Sequence, residues 1–305
     1  MATLREIRRR IRAVKNLAKV TRAMQMVATS KMQRAQERAQ ATRPYAQKAW
    51  DILTHLAARR RAEEEMHPLC RFREVETVGL VLITADRGLC GGYNHSIIRT
   101  TLEFIQHQTK PIKLIAVGRK GRDFMMRLGM EIIAEFTNLL AQPTILDVAP
   151  IARTTIDDFV AGKFDVVYLA YTNFINTLQY KPMVKRLLPI HPSMAEELAM
   201  REYVERPLPQ PQPEYEYIYE PDPRTILDAV LPRFTELQIY QAILESAASE
   251  HSARMVAMRN ATENAQDIIS ELTLTYNRAR QEAITKEIID IAGGAEALAR
   301  ARAVR

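Results

Sequence analysis

The first candidates for chemistry in this sequence lie in a glycine-rich turn, ADRGLCGGYN at 85–94. The turn follows an apolar run and precedes a helix-like stretch, so its backbone N–H groups could bind a phosphate at a helix N-terminus. However, Gly88, Gly91 and Gly92 do not form GxGxxG, and no GxxxxGK(S/T) motif occurs in the chain. We therefore favour a tight turn that needs positive φ, with a small-molecule phosphate site as the alternative.

The histidines and cysteines form no metal-binding or catalytic pattern. The six histidines are scattered without an HExxH pair, and Cys70 and Cys90 are too far apart for a CxxC knuckle. Cys90 could gain thiolate character near the start of a helix, but the sequence places no base beside it. We expect His251 to be a packing residue on a helix. The sequence thus predicts no catalytic residue, no metal site and no cofactor.

The middle of the chain alternates β-rich runs with helix-like stretches. The β-rich apolar runs lie at 75–84, 112–118, 131–137 and 165–175, and the helix-like stretches at about 94–108, 119–129 and 151–161. This alternation predicts a Rossmann-like, largely parallel α/β domain, which we place at 75–225. Within it, the Pro-rich segment 205–213 is typical of an extended spacer.

Two long segments without Gly or Pro flank this region, at 1–43 and 233–292. As helices they would be about 65 and 90 Å long, whereas the mean globular helix has about 11–12 residues. In the first segment, apolar residues spaced three and four apart predict one helix face: Leu4, Ile7, Ile11, Val14, Leu17, Val20, Met24 and Val27. In the second, a heptad places Leu237, Leu244, His251, Met258, Ala265, Leu272 and Ala279 at one position, and Gln241, Ala248, Met255, Thr262, Ile269, Tyr276 and Ala283 at the other.

A sustained heptad predicts a left-handed coiled coil. Because the two helices lie at opposite ends of one chain, we expect an intramolecular antiparallel pair, with its helices in 1–66 and 226–305. A homodimeric zipper is the alternative. The C-terminal helix is the longer one, so part of it should extend past its partner and be buried against another surface.

Positive charge is concentrated at the N-terminus. Residues 1–43 contain twelve Lys and Arg against two Glu, a net charge of +10, while the whole chain has +7. Such an arm suits nucleic acid, a transit peptide or an acidic protein partner. No aromatic residue interleaves the cations, and a transit peptide would not match a distant helix, so we favour the protein partner over nucleic acid. No apolar run is long enough to span a membrane.

Four segments of the sequence, in order, are similar to the gamma subunit of bacterial-type F-type ATP synthases. They are RIRAVKNLAKVTRAMQMVATSKM (10–32), TADRGLCGGYN (84–94), YIYEPDP (217–223) and YNRARQEAITKEIIDIAGGAEA (276–297). The resemblance extends over about residues 2–297. In the last segment the family signature is matched by Ile284, Thr285, Glu287, Asp290, Gly294 and Ala295.

The resemblance implies a non-catalytic rotor subunit in the central stalk of a proton-translocating ATP synthase. Such a shaft couples rotation of the membrane c ring to conformational cycling of the catalytic beta subunits in ATP synthesis and hydrolysis. The implied partners are the alpha and beta subunits of the catalytic hexamer, the epsilon subunit and the c ring. The implied location is peripheral, at the cytoplasmic face of a bacterial plasma membrane that the chain reaches only through the c ring.

The resemblance also assigns contact residues. Met24, Arg280 and Gln281 match family positions that contact the beta subunit, with Arg280 suited to a charge-assisted contact with an acidic loop. A second set, Tyr217, Tyr219 and Glu220, matches the foot that meets the polar loops of the c ring.

Overall fold

The computed structural model describes residues 3–58, 67–141, 143–190, 220 and 222–303. In chain order the elements are α1 (Leu4–Ala58), β1 (Val78–Ile83), α2 (Tyr93–Gln106), β2 (Ile112–Val117), α3 (Arg119–Arg127), β3 (Glu131–Phe136), α4 (Ile145–Val160), β4 (Val166–Phe174), β5 (Tyr180–Leu188) and α5 (Pro223–Ala303). A short 3₁₀ turn, Pro68–Cys70, precedes β1. The Pro-rich segment 205–213 lies outside the described residues.

Both segments without Gly or Pro are helical where the structure describes them, from Leu4 in the first, and both helices continue past the nearest proline. Helix α1 continues through Pro44, and α5 runs through Pro232. Proline inside a helix removes a hydrogen bond and costs about 3 kcal/mol. In α1 the cost is offset by the packing that follows, because Ala46, Trp50 and Leu53 are all buried.

The sheet is mixed and largely parallel, as predicted. Its strand order is β3-β2-β1-β4-β5, in which all neighbours are parallel except the antiparallel pair β4 and β5. Strand β5 was not predicted, because its sequence YKPMVKRLL has three cations and Pro182. These residues are tolerated because β5 ends the described sheet, where an edge strand can accept proline and charge.

Helices cover both faces of the sheet. Leu80 and Leu82 of β1 pack with residues of α2 and α3, whereas Val81 and Ile83 point to the other face. There they pack with α4, with the second half of α1 and with the first part of α5. Helices α1 and α5 meet in this layer, since the rings of Trp50 and Phe234 are 5.7 Å apart. This alternation follows from the two-residue period of a strand.

The chain divides into two compact units. The first, the helix pair, consists of Met1–Val27 and Val256–Arg305. The second, the α/β unit, consists of Ala28–Met255 and includes the sheet together with the adjoining parts of α1 and α5. The division into segments 1–66, 75–225 and 226–305 stays a prediction.

Candidate partner-binding surface of the helix pair

Within the helix pair, α1 and α5 are antiparallel. The hydroxyls of Thr21 and Thr262 are hydrogen-bonded at 2.7 Å. Arg8 donates a hydrogen bond to the Tyr276 hydroxyl, and its guanidinium carbon lies 5.4 Å from the centre of the Tyr276 ring. Because α5 numbers rise as α1 numbers fall between these contacts, the helices run in opposite directions. One chain therefore supplies both helices of the predicted pair.

The α5 seam follows the predicted heptad as far as Ala279. Its buried and half-buried residues in the helix pair include Met258, Thr262, Ala265, Ile269, Leu272, Tyr276 and Ala279. The next predicted seam position, Ala283, is exposed, as is every residue from Arg280 to Ala295. The seam thus ends before the helix does, which agrees with the expected overhang of the longer helix.

Beyond Val14, the predicted α1 face is right at Met24, which is half-buried, and wrong at Leu17, Val20 and Val27. Leu17 is 56% exposed, Val20 55% and Val27 56%, whereas Thr21 is only 7% exposed. The seam instead continues through Ala18, which is half-buried, and Thr21. A strict three-four spacing from Val14 leads to these two small side chains. The larger apolar residues beside them gave a misleading hydrophobic signal.

The outer surface of α1 is cationic. Residues 1–27 contain eight Lys and Arg side chains and only one acidic residue, Glu6, and all eight cations are exposed. They are Arg5, Arg8, Arg9, Arg10, Arg12, Lys15, Lys19 and Arg22. The exposed Leu17, Val20 and Val27 lie among them. A surface that combines dense positive charge with exposed apolar side chains suits an acidic protein partner with apolar groups at its contact.

The structure does not bring the three predicted beta-contact residues together. Met24 is half-buried, while Arg280 and Gln281 are exposed. From the pairing of Thr21 with Thr262, Met24 and Arg280 lie in opposite directions along the pair, about 30 Å apart at 1.5 Å rise per residue. If all three contact a partner, they contact it at two separate places.

The remaining predicted positions are described only in part. Tyr217 and Tyr219 lie outside the described residues, and Glu220 is exposed just before α5. The signature residues Ile284, Thr285, Glu287, Asp290, Gly294 and Ala295 are all exposed on the last part of α5. Ile288, Ile289 and Ile291 on the same stretch are 60–69% exposed, so this end presents apolar surface to solvent.

In the α/β unit, the polar side chains of the glycine-rich turn form hydrogen bonds with other groups of the same chain. Asn94 accepts the Ala85 N–H at 2.9 Å and donates to Cys90 Sγ at 3.2 Å. The Asp86 carboxylate accepts the N–H groups that begin α3 and the loop after β3. Gly91 has φ of 55°, so the turn does need positive φ, as predicted.

The crevice where a doubly wound sheet binds ligands is filled by α5. Such ligands lie outside the carboxyl ends of strands where the strand order reverses, which here is between β1 and β4. Ser246 and Ser249 of α5 bind the Thr172 N–H and carbonyl at 3.2 and 3.3 Å. Arg254 donates to the Gly88 carbonyl at 3.2 Å. The structure therefore favours the turn interpretation over a phosphate site.

These residues belong to a buried polar stretch of α5 that the heptad pattern does not predict. Glu250 is 5% exposed and His251 4%. Burial raises the pKa of Glu250, an effect opposed by Arg254, and burial together with Arg254 lowers the pKa of His251 to about 4. The only signal in the sequence was the run of small residues around them, SAASEHSA at 246–253.

Two sequence expectations about reactive side chains have different outcomes. His251 is a packing residue, as expected, since it is only 4% exposed and Arg254 Nη1 lies 3.4 Å from its Nδ1. Cys90 is 1% exposed, and burial raises the pKa of its thiol, so the fold does not favour the thiolate that the start of a helix could give. Among the residues that the structure describes, no cluster of His, Cys, Asp and Glu could hold a metal, and no helix could span a membrane.

Fold and surface together define an α/β protein whose long terminal helices pair and display a cationic face. Comparison with known proteins gives the family. A family model for ATP synthase matches residues 3–298. The ATP synthase gamma chain of Dehalococcoides mccartyi (strain CBDB1) is 50% identical over 299 residues, covering 98% of this chain and 100% of that relative. The gamma chain of Roseiflexus castenholzii is 46% identical over 307 residues, with 98% and 99% covered.

A solved structure agrees. The chain is similar to one in the cryo-EM structure of the central stalk and c ring of the Tetrahymena thermophila mitochondrial ATP synthase. The TM-score is 0.57 at 26% identity, covering 79% of this chain and 99% of that one. The chain belongs to the ATP synthase gamma-chain family, which confirms the resemblance found in the sequence.

Proposed function

We propose that this chain is the rotor shaft in the central stalk of a proton-translocating F-type ATP synthase. It couples rotation of the c ring to the conformational cycle of the catalytic beta subunits. A shaft of this kind acts as a differential ligand, because it can bias the beta subunits only by binding their conformations unequally. The observation that supports this most is the cationic helix pair on a chain of the gamma family.

The helix pair supplies the asymmetry that such a ligand needs. All eight cations of residues 1–27 are exposed on α1, while residues 256–305 have seven cations and seven acids. One face of the pair is therefore strongly positive, and the other is close to neutral. A surrounding hexamer would meet different charge on different sides of the shaft, and an acidic loop would favour the α1 face.

The chain acts in this complex as a non-catalytic subunit. Its sheet places α5 in the crevice where a related fold would bind a nucleotide, through Ser246, Ser249 and Arg254. Its partners are the alpha and beta subunits of the hexamer, the epsilon subunit and the c ring, with Tyr217, Tyr219 and Glu220 at the c-ring contact. It lies peripherally at the cytoplasmic face of a bacterial membrane, a location that its bacterial relatives support.

The direct test of assembly is co-purification. The full chain, tagged and expressed with its own alpha and beta subunits, should bring down an alpha–beta hexamer in one-to-one ratio. The complex should weaken as salt is raised, because surface charge contributes to it. A folded chain that elutes alone at low salt would contradict the proposal.

The predicted beta contacts are tested by a pair of double variants. Arg280→Ala with Gln281→Ala should lower coupled ATP synthesis at least tenfold, since a charge-assisted contact contributes about 1.5–3 kcal/mol. Asn277→Ala with Arg278→Ala removes a similar pair of exposed side chains from the same helix and should leave synthesis within twofold of the unmodified complex. Equal synthesis rates in the two double variants would rule out these contacts.

A further inference from the structure

One stretch of α5 is hydrogen-bonded to backbone groups at three places along the carboxyl edge of the sheet. Arg254 binds the turn after β1 at Gly88. Ser246 and Ser249 bind the backbone of Thr172 near the end of β4. Ser252 binds the loop after β4 at the Thr177 carbonyl. We call this stretch the polar joint, and with the pairs described above it comprises Ser246, Ser249, Glu250, His251, Ser252 and Arg254.

The joint is buried and charged. The Glu250 and Arg254 side chains, which form an ion pair, are 6% and 14% exposed. Arg254 Nη1 also lies 3.4 Å from His251 Nδ1. The charges of Lys31 in α1 and Asp86 in the β1–α2 turn also act on Glu250, and that of Lys31 acts on His251 as well. Removing one partner of a buried ion pair strongly destabilises its surroundings, because the other charge is left unpaired.

The polar joint differs in kind from the apolar packing beside it. N-terminal to it, α5 packs on the α/β unit through side chains such as Phe234, Ile239 and Ile243. Apolar contacts are non-directional, so they resist separation of a helix from its support more than rotation about its own axis. Hydrogen bonds to fixed backbone groups are directional, so they also set the rotational position of the helix.

We propose that the polar joint transmits torque from the sheet and its loops to α5, with Arg254 as its principal positioning residue. This inference rests on the proposed rotor function. Arg254 has this role because it holds both the buried Glu250 carboxylate and the backbone of the β1–α2 turn. From Val256 onward the same helix belongs to the helix pair, as α1 does up to Val27, so α5 offers a continuous path for torque that begins at the joint.

The test uses Arg254→Gln in the assembled ATP synthase, with ATP-driven proton pumping and ATP hydrolysis measured in the same vesicles. Protons pumped per ATP hydrolysed should fall at least about twofold while hydrolysis continues, because a loosened joint lets the shaft turn without its load. Arg254→Lys keeps the charge but loses the guanidinium fork, so its pumping ratio should lie between those of the unmodified chain and Arg254→Gln. The matched control is Arg259→Gln, which breaks the exposed i,i+4 pair with Glu263 and should leave the ratio unchanged.

Ser252→Ala provides a milder variant whose fold is easily preserved, and it should lower the ratio in the same direction. Hydrogen exchange on the purified full chain reports on the joint without the complex. Amides of residues 86–92 and 246–254 should exchange about tenfold faster in Arg254→Gln than in Arg259→Gln. Unchanged exchange in Arg254→Gln, or a pumping ratio that is unchanged in both Arg254→Gln and Ser252→Ala, would overturn the inference. Failure of the proposed function is distinguishable, since the unmodified chain itself would then not assemble with the hexamer.

Discussion

Gly118, at the N-terminus of α3, shows how a single backbone position can determine local structure. Its φ is 94°, and a Cβ added there would lie 2.0 Å from the Thr84 carbonyl oxygen. We predict that Gly118→Ala destabilises the chain by about 4 kcal/mol or more, as expected when strain and a backbone clash combine. Gly129 is the control, because its φ is 73° but its Cβ would meet open space. Gly129→Ala should cost only about 1–2 kcal/mol in the same urea titration, and equal losses would contradict the account.

His251 should make stability depend on pH. Its pKa falls from 6.5 to about 4 on folding, so the unfolded chain binds the proton more readily between these values. The contribution of neutral His251 is therefore fully present above about pH 6.5 and is lost as the pH falls toward 4. Relative to His251→Gln, the unmodified chain should lose about 2 kcal/mol of unfolding free energy between pH 7 and pH 5.

The raised pKa of Glu250 acts in the opposite direction, since folding then favours its protonated form as the pH falls. Because Glu250 is present in both the unmodified chain and the His251→Gln variant, the difference between their unfolding free energies cancels most of the contribution of Glu250. A difference in unfolding free energy that does not change with pH would show that His251 is not held neutral by the fold.

At this scale, sequence reasoning placed few of the important residues. It recognised the turn at 85–94, because glycine spacing is visible in one dimension. It missed Glu250 and Arg254, because partners such as Gly88 are 166 residues away from Arg254 in the chain. A buried charge is recognised by its surroundings, and those surroundings exist only after folding.

At the scale of elements, the helix pair separates buried from exposed apolar residues of similar size. Ile7 is 5% exposed and Leu17 56%, although both fitted the same apolar repeat. Ile7→Ala should destabilise the helix pair by about 2–4 kcal/mol, whereas Leu17→Ala should change it by less than about 0.5 kcal/mol. Loss of helical circular dichroism on heating measures both. Equal effects of the two substitutions would show that Leu17 is buried in the helix pair, as the apolar repeat predicted.

The elements themselves were largely predictable. The four parallel strands lie within or close to their predicted ranges, since near-continuous apolar runs between helical segments have few other solutions. Strand β5 was missed because Pro182 and three cations hide its alternation. Leu17 and Val20 were wrongly placed on the α1 seam because Ala18 and Thr21, which do lie there, give a weak hydrophobic signal. Only the contacts of α1 with α5 reveal the seam.

At the scale of the whole molecule, the absence of Gly and Pro from two long segments acquires a mechanical meaning. In the proposed rotor, a helix that transmits torque must not bend at a hinge. Neither 1–43 nor 233–292 contains a residue that would favour one. The family and the positive charge of the N-terminal helix were recognisable from the sequence, whereas the polar joint required the folded chain.

The most direct measurement of the central claim is rotation in a single complex. The chain would carry a probe at Lys110→Cys, an exposed position of the α/β unit, in a Cys70→Ser background, with its alpha–beta hexamer fixed to a surface. On addition of ATP, we predict that the probe rotates continuously in one direction and stops when ATP is removed. A hexamer that binds the chain and hydrolyses ATP while the probe stays stationary would contradict the account.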